Sequence, residues 1–291
     1  MMDYLVKAAS EDFSFTVSID ITTELVETAR GVHNTSKLAT AALGRALSLV
    51  GIMGTELEDK QTVSLQIISN GPLKGLFVQA DAYGNVRGYV KNPYIELPPN
   101  ETGKIDVETG IGKTGYLYVV KDLGFGSPYI GITPLVKGGI ATDLAHYFYN
   151  SEQTPSVVAA GTYIDVEGRV EASGGMIGRV LPGLDSRRIG LLEKRIKQLP
   201  PLSELIKEYL SPEAIIRILF GDIPYTIIEK KPLQYHCPCS KERAKTTLVL
   251  LGKEEIDSMI KEGSAEVNCV FCGAHYYFER QELEDIRENI G

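Results

Sequence analysis

No cysteine occurs in the first 236 residues of the chain. That long stretch can contribute no thiolate to a metal site and no half of a disulfide. The N-terminus, MMDYLVKAASEDFSFTVSID, also lacks a positively charged start followed by an apolar run. No window holds the roughly 18 consecutive apolar residues of a membrane span, so the expectation is a cytoplasmic protein without membrane contact. An excess of basic charge is missing too. The formal net charge is −8, from 30 basic and 38 acidic residues. Affinity for nucleic acid comes mainly from clustered Lys and Arg that displace counterions, so this balance argues against a phosphate-binding protein. Divided at Gly183 and Pro232, the charge splits as −6, +2 and −4, which leaves the cysteine-bearing end acidic. Repeats and low-complexity tracts are absent as well. At 31.9 kDa and 43% hydrophobic, the chain has material for a sizeable core and more than one domain.

Residues 1–183 read as one mixed α/β domain. Alternation in FSFTVSIDI and TVSLQIIS predicts strands, and GPLKGLFVQADAYGNVRGYVKNP predicts two strands joined at Gly84 and Asn85, where a positive-φ turn is easily made. Between them, Asn34, Thr35 or Ser36 can cap a buried helix whose apolar residues recur at Leu38, Ala42, Ala46, Leu49 and Met53. A further helix is predicted over Gly139 to Asn150, followed by strand character in VVAAGTYIDVEGRVEASGG. The paired Gly174 and Gly175, with the LPG ending at Gly183, mark the expected end of this domain.

From residue 184 to residue 232 the texture changes to short amphipathic helices broken by prolines, DSRRIGLLEKRIKQL, LSELIKEYL and SPEAIIRILFG, the last with Ser211 as cap and Pro212 at its first position. About fifty such residues cannot form a large core of their own, so this linker is expected to rest on a neighbouring domain. Its apolar faces, including Leu202, Leu205, Ile206 and Tyr209, would be exposed if that neighbour let go.

Residues 233–291 hold all four cysteines. Ser240 can cap a helix through Leu251 that Gly252 ends, Ile256, Met259 and Ile260 mark a second helix closed by Gly263, AEVNC and AHYYF form a hairpin, and ELEDIRENI gives a last helix. Cys237 and Cys239 are two residues apart, Cys269 and Cys272 three apart. Two short knuckles with four thiolates complete a tetrahedral zinc site with no open position, a structural site rather than a catalytic one. His236 and His275 stand beside the knuckles, either as replacements for one sulfur or as neighbours that orient the site, the second being expected since four sulfurs suffice. A structural zinc contributes roughly 10–16 kcal/mol of apparent folding free energy, so a unit of this size should unfold without its metal. Zinc-bound thiolates stay oxidisable, and a disulfide within either close pair removes two of the four ligands.

The segments TAALGRAL, GNVRGYVKNP, DLAHYFYNSEQTPS and SGGMIGRVLPG, with CPCSKER and the distant CVFC, resemble the heat shock protein 33 family, redox-regulated holdase chaperones of bacteria. The resemblance covers nearly the whole chain in the family's order. It implies an α+β protein with a mixed α/β N-terminal domain of large β-sheets and packed helices, a helical linker, and a small C-terminal zinc-binding domain. It further implies no enzymatic activity: the reduced protein holds one Zn2+ per chain on Cys237, Cys239, Cys269 and Cys272 and is inactive. Oxidation would pair Cys237 with Cys239 and Cys269 with Cys272, release the metal, and let the C-terminal domain and then the linker unfold. The exposed surface would hold unfolding client proteins without ATP, and the active form would be a homodimer. Leu202, Leu205, Ile206, Tyr209, Ile215, Ile218 and Phe220, with strand surfaces of the first domain, are the expected client site.

Two other functions compete. A structural zinc-ribbon module contacting nucleic acid or a ribosomal partner has KERAK, residues 241–245, in its favour and the acidic domain against it. A thiol-disulfide oxidoreductase would use Cys269 and Cys272, a pair that in such enzymes opens a helix rather than linking two strands. ETGIGKTG lacks the first glycine of a phosphate-binding loop, Val107 standing in its place, and is expected to be a glycine-rich hairpin turn. GFGSP is expected to be a loop, since it lacks the spacing of a nucleophile elbow. His33 and His146 are expected to be structural. Arg45 and Arg87 are expected to be partly buried, pairing with carboxylates or contacting a partner.

Overall fold

The computed structural model describes residues 2–12, 14–180, 194–196 and 198–290. The chain forms two compact units, 1–236 and 237–291. In the first, β1 (Tyr4–Ser10) and β2 (Phe15–Ile21) lead into α1 (Thr23–His33) and α2 (Lys37–Thr55). Then come β3 (Thr62–Ser69), β4 (Gly75–Asp81), β5 (Asn85–Val90), α3 (Val107–Ile111), β6 (Gly115–Asp122), β7 (Tyr129–Pro134) and α4 (Ala141–Asn150). The unit closes with β8 (Ser156–Ile164), β9 (Val170–Val180), α5 (Leu202–Tyr209), α6 (Pro212–Phe220), β10 (Tyr225–Pro232) and β11 (Gln234–Tyr235).

These strands make two sheets, ordered β10-β1-β2-β9-β8 and β11-β5-β4-β3-β6-β7. Every pairing is antiparallel except β11 with β5. Helix α2 lies between the sheets and packs on strands of both. Its apolar residues Leu38, Leu43, Leu47, Leu49 and Ile52 are all buried. Ser36 caps it, its Oγ accepting from the Ala39 N–H at 3.1 Å. By length and mean hydropathy α2 could cross a bilayer, contrary to the expectation of no such segment, but 94% of its apolar window is buried inside the protein. A helix hydrophobic all round is what a position between two sheets requires.

The predicted turn at Gly84 is present: φ is +82°, and a Cβ there would come within 2.1 Å of the Pro232 carbonyl oxygen. Gly174 and Gly175 lie inside β9. A Cβ on Gly174 would sit 2.4 Å from Ile206 Cδ1, so the glycine allows α5 to approach the sheet. ETGIGKTG also differs from expectation, since α3 and the entry to β6 replace the hairpin turn.

The boundary at Gly183 and most of DSRRIGLLEKRIKQL lie outside the described residues. The helices α5 and α6 group with the first unit. Their residues Leu202, Leu205, Ile206, Ile215, Ile216, Leu219 and Phe220 pack with Val6, Phe15, Val17, Ile19 and Met176 into a second core on the outer face of the first sheet. Residues 225–232 are strand rather than helix, β10 pairing with β1 from Tyr4–Pro232 to Ser10–Tyr225. That partner lies more than two hundred residues away, which local periodicity cannot reveal.

The second unit contains α7 (Lys241–Leu251), α8 (Lys253–Glu262), the hairpin β12 (Ser264–Asn268) and β13 (His275–Glu279), and α9 (Arg280–Glu288). Ser240 Oγ accepts from the Arg243 N–H, and Gly263 ends α8 in the left-handed region, as the sequence predicts. The core is six buried residues, Ala244, Leu248, Ile256, Phe278, Leu283 and Ile286. Few soluble domains of roughly 55 residues stand on so small a core without a staple.

Candidate metal centre

Cys237 and Cys239 precede α7, which Ser240 caps, so the first knuckle is held at a helix entrance. Cys269 and Cys272 stand in the β12–β13 turn, where the Cys269 N–H donates to the Ala274 carbonyl and the Gly273 N–H to the Cys269 carbonyl, at 2.9 and 2.8 Å. Gly273, at φ +68°, lets the chain reverse there.

The four sulfurs converge, all lying within 4.8 Å of one another. The shortest contacts run between knuckles, 3.1 Å for Cys239–Cys272 and 3.6 Å for Cys237–Cys269. Zinc–sulfur bonds of about 2.3 Å place tetrahedral sulfurs somewhat under 4 Å apart, so the cluster has the span of a one-ion site. The four cysteines therefore lie close enough to bind a metal ion, and each is half-buried.

The Tyr276 hydroxyl donates to Cys239 Sγ at 3.0 Å. Burial opposes ionisation of Cys239, but hydrogen bonds from Tyr276 and then from the other thiols outweigh it and bring this thiol down to about 7. Cys272 moves up, through burial first and then through its bond to the more acidic Cys239. Of this pair, Cys239 thus gives up its proton the more readily and Cys272 holds its own.

Neither histidine belongs to the sulfur group. The His275 ring contacts the Glu266 carboxylate through Nδ1, and the His236 backbone N–H donates to Val86 at 3.0 Å. Tyr276 was not anticipated from the sequence. The signal is the alternation of β13, where Tyr276 and Phe278 turn inward while His275 and Tyr277 face solvent. Cys269 and Cys272 link two strands and open no helix.

Of the expected client residues, Leu202, Leu205, Ile206, Ile215 and Phe220 are buried under α5 and α6, while Tyr209 and Ile218 are exposed. His33 Nε2 meets the Tyr235 hydroxyl at 2.9 Å, and His146 Nδ1 is buried with no hydrogen-bond partner. Arg87 donates to the Gln79 side-chain oxygen at 2.7 Å. Arg45 departs from expectation, having no ion pair among the described residues, and its Nε is buried without a partner.

A sequence model of the family described as Hsp33 protein matches residues 3–279. The 33 kDa chaperonin of Desulforamulus reducens is 43% identical over 291 residues, covering 100% of this chain and 99% of the relative. That of Geobacillus kaustophilus is 41% identical over 289 residues, covering 99% and 98%. The crystal structure of the 33 kDa chaperonin, a heat shock protein 33 homolog, from Thermotoga maritima superposes with a TM-score of 0.92 at 38% identity, covering 99% of this chain and 98% of the other. Full-length matches in sequence and in fold, together with four convergent C-terminal cysteines, give one conclusion: the chain belongs to the Hsp33 family of heat shock chaperones.

Proposed function

We propose that this protein is an ATP-independent, cytoplasmic holdase whose activity is set by the redox state of its four cysteines. Reduced, Cys237, Cys239, Cys269 and Cys272 hold one Zn2+ as thiolates, and the protein is inactive. Bound there, zinc supplies a cross-link between the two knuckles of a unit whose own core is small. The observation that carries this reading is the convergence of all four sulfurs within 4.8 Å.

Oxidation converts four thiolates into two disulfides and releases four electrons. Two molecules of hydrogen peroxide accept them with four protons and leave as four waters. Cys237, Cys239, Cys269 and Cys272 would then offer no thiolate to hold a metal ion. The pairs formed are Cys237 with Cys239 and Cys269 with Cys272. The shortest sulfur contacts run between knuckles instead. Pairing within each knuckle is supported by sequence distance, because closing a loop of two or three residues costs less chain entropy than closing one of about thirty.

Loss of the metal unfolds the residues from about 233 onward, and the linker of residues 184–232 follows. The route is the backbone itself: β10 is an edge strand held to β1, and the two-residue β11 ends just before Cys237. Release of α5 and α6 uncovers Leu202, Leu205, Ile206, Ile215 and Phe220 beside Tyr209 and Ile218. With the exposed Tyr116, Ile130 and Ile132 of the second sheet, these residues hold unfolding clients, and the active form is a homodimer.

The test is suppression of light scattering by a thermally unfolding client, without ATP, before and after peroxide treatment at raised temperature. Protection by the oxidised protein alone, with peptide mapping that finds the two within-knuckle disulfides, is the expected result. Equal protection by the reduced, zinc-loaded protein would overturn the reading.

A further inference from the structure

Beside β8 lies a cavity of about 600 Å³, bounded by the 103–105 loop and by the lead-in and first turn of α5. It falls within the range of small-molecule sites. Ala160, Met176, Ile196, Leu199 and Leu202 supply an apolar wall. Arg45 lines the same space.

Three observations set Arg45 apart. Gly44 sits against Thr162, where a Cβ would come within 2.5 Å of Oγ1, so α2 comes very close to β8 here and the next residue reaches the cavity. Arg45 is half-buried, and the desolvation of its guanidinium disfavours the charge. No hydrogen bond or ion pair satisfies it among the described residues, and Nε is sealed off without a partner. Glu108, a carboxylate that acts on it through space, is itself 3.9 Å from Lys137. An arginine this deep normally has an anion in its fork.

We infer that this cavity binds a small amphiphile with an apolar chain and a single carboxylate head, the carboxylate taken by Arg45 and the chain laid along the Ala160, Met176 and Leu199 wall. A polyphosphate or nucleotide fits less well, because the other cation among the described lining residues, Lys104, already stands 3.6 Å from Glu204. Because α5 forms one wall, an occupied cavity ties α5 to β8.

The test titrates the reduced full-length chain with decanoate and with decyltrimethylammonium, by calorimetry and by amide hydrogen exchange. Decanoate should bind one per chain and slow exchange at residues 202–205, and the cationic analogue should do neither. Arg45→Met should weaken decanoate about tenfold to a hundredfold, the loss of a bidentate charge-assisted contact, and should not lower the melting temperature, since it removes an unpaired buried charge. Should Arg45→Met fold poorly, Ala160→Phe keeps the arginine and fills the cavity, and it too should abolish binding. Absence of saturable decanoate binding, unchanged affinity in both variants, or protection mapping away from α5 would overturn the proposal.

Discussion

A single hydroxyl modulates the sulfur cluster. Tyr276 donates to Cys239 Sγ, drawing electron density from the sulfur that ionises first. Tyr276→Phe is therefore expected to speed peroxide-driven zinc release about twofold to tenfold, matching a hydrogen bond of about 0.5–1.5 kcal/mol. Stopped-flow detection with a chromogenic chelator measures the rate, and a slower release in the variant would count against it. At the other end of the chain, Asp3 accepts from the Leu25 N–H at 2.6 Å while its second oxygen, like one oxygen of the buried Asp20, has no hydrogen-bond partner among the described residues. Burial pushes the Asp3 carboxyl from 3.8 up to about 6. A raised acid favours the folded state below its unfolded pKa, and that contribution is lost as pH rises from about 4 through about 6, on the order of 3 kcal/mol. Asp3→Asn should flatten this part of the profile in urea unfolding at pH 4.5 and 7. Parallel profiles for the two proteins would refute it.

Helix α5 depends on Gly174, where a side chain would meet both the Asp20 carbonyl oxygen at 2.3 Å and Ile206 Cδ1 at 2.4 Å. One of the two obstacles is backbone, so Gly174→Ala should cost about 1–3 kcal/mol and loosen α5 first. Hydrogen exchange should report faster opening at residues 202–209 than in β3 and β4, and uniform loosening would contradict the placement. The elements readable in the sequence were those with local signals. Ser36, Ser211 and Ser240 announced their helices, Gly84 its turn and Gly263 its stop. What escaped was non-local: β10 is defined by β1, and the close approach of α5 that Gly174 permits leaves no mark in spacing. The four cysteines that lie close enough to bind a metal ion were legible from spacing alone. Tyr276 and Arg45, which has no ion pair among the described residues, were not legible, since spacing does not report which hydroxyl meets a sulfur or which cation lacks an anion.

At the scale of the whole chain, the two units differ in how they are stabilised. The first buries two cores around its sheets and α2, whereas the second buries six residues and gathers four sulfurs. In the proposed switch a metal worth roughly 10–16 kcal/mol of apparent folding free energy dominates so small a unit, and its removal is the trigger for the rest. The direct test follows zinc release under peroxide at raised temperature while the same sample is assayed for protection of a thermally unfolding client. The account predicts one zinc leaving per chain as protection appears, with reductant and zinc reversing both. Zinc leaving with no protection would reduce the metal to a structural staple and contradict the switch.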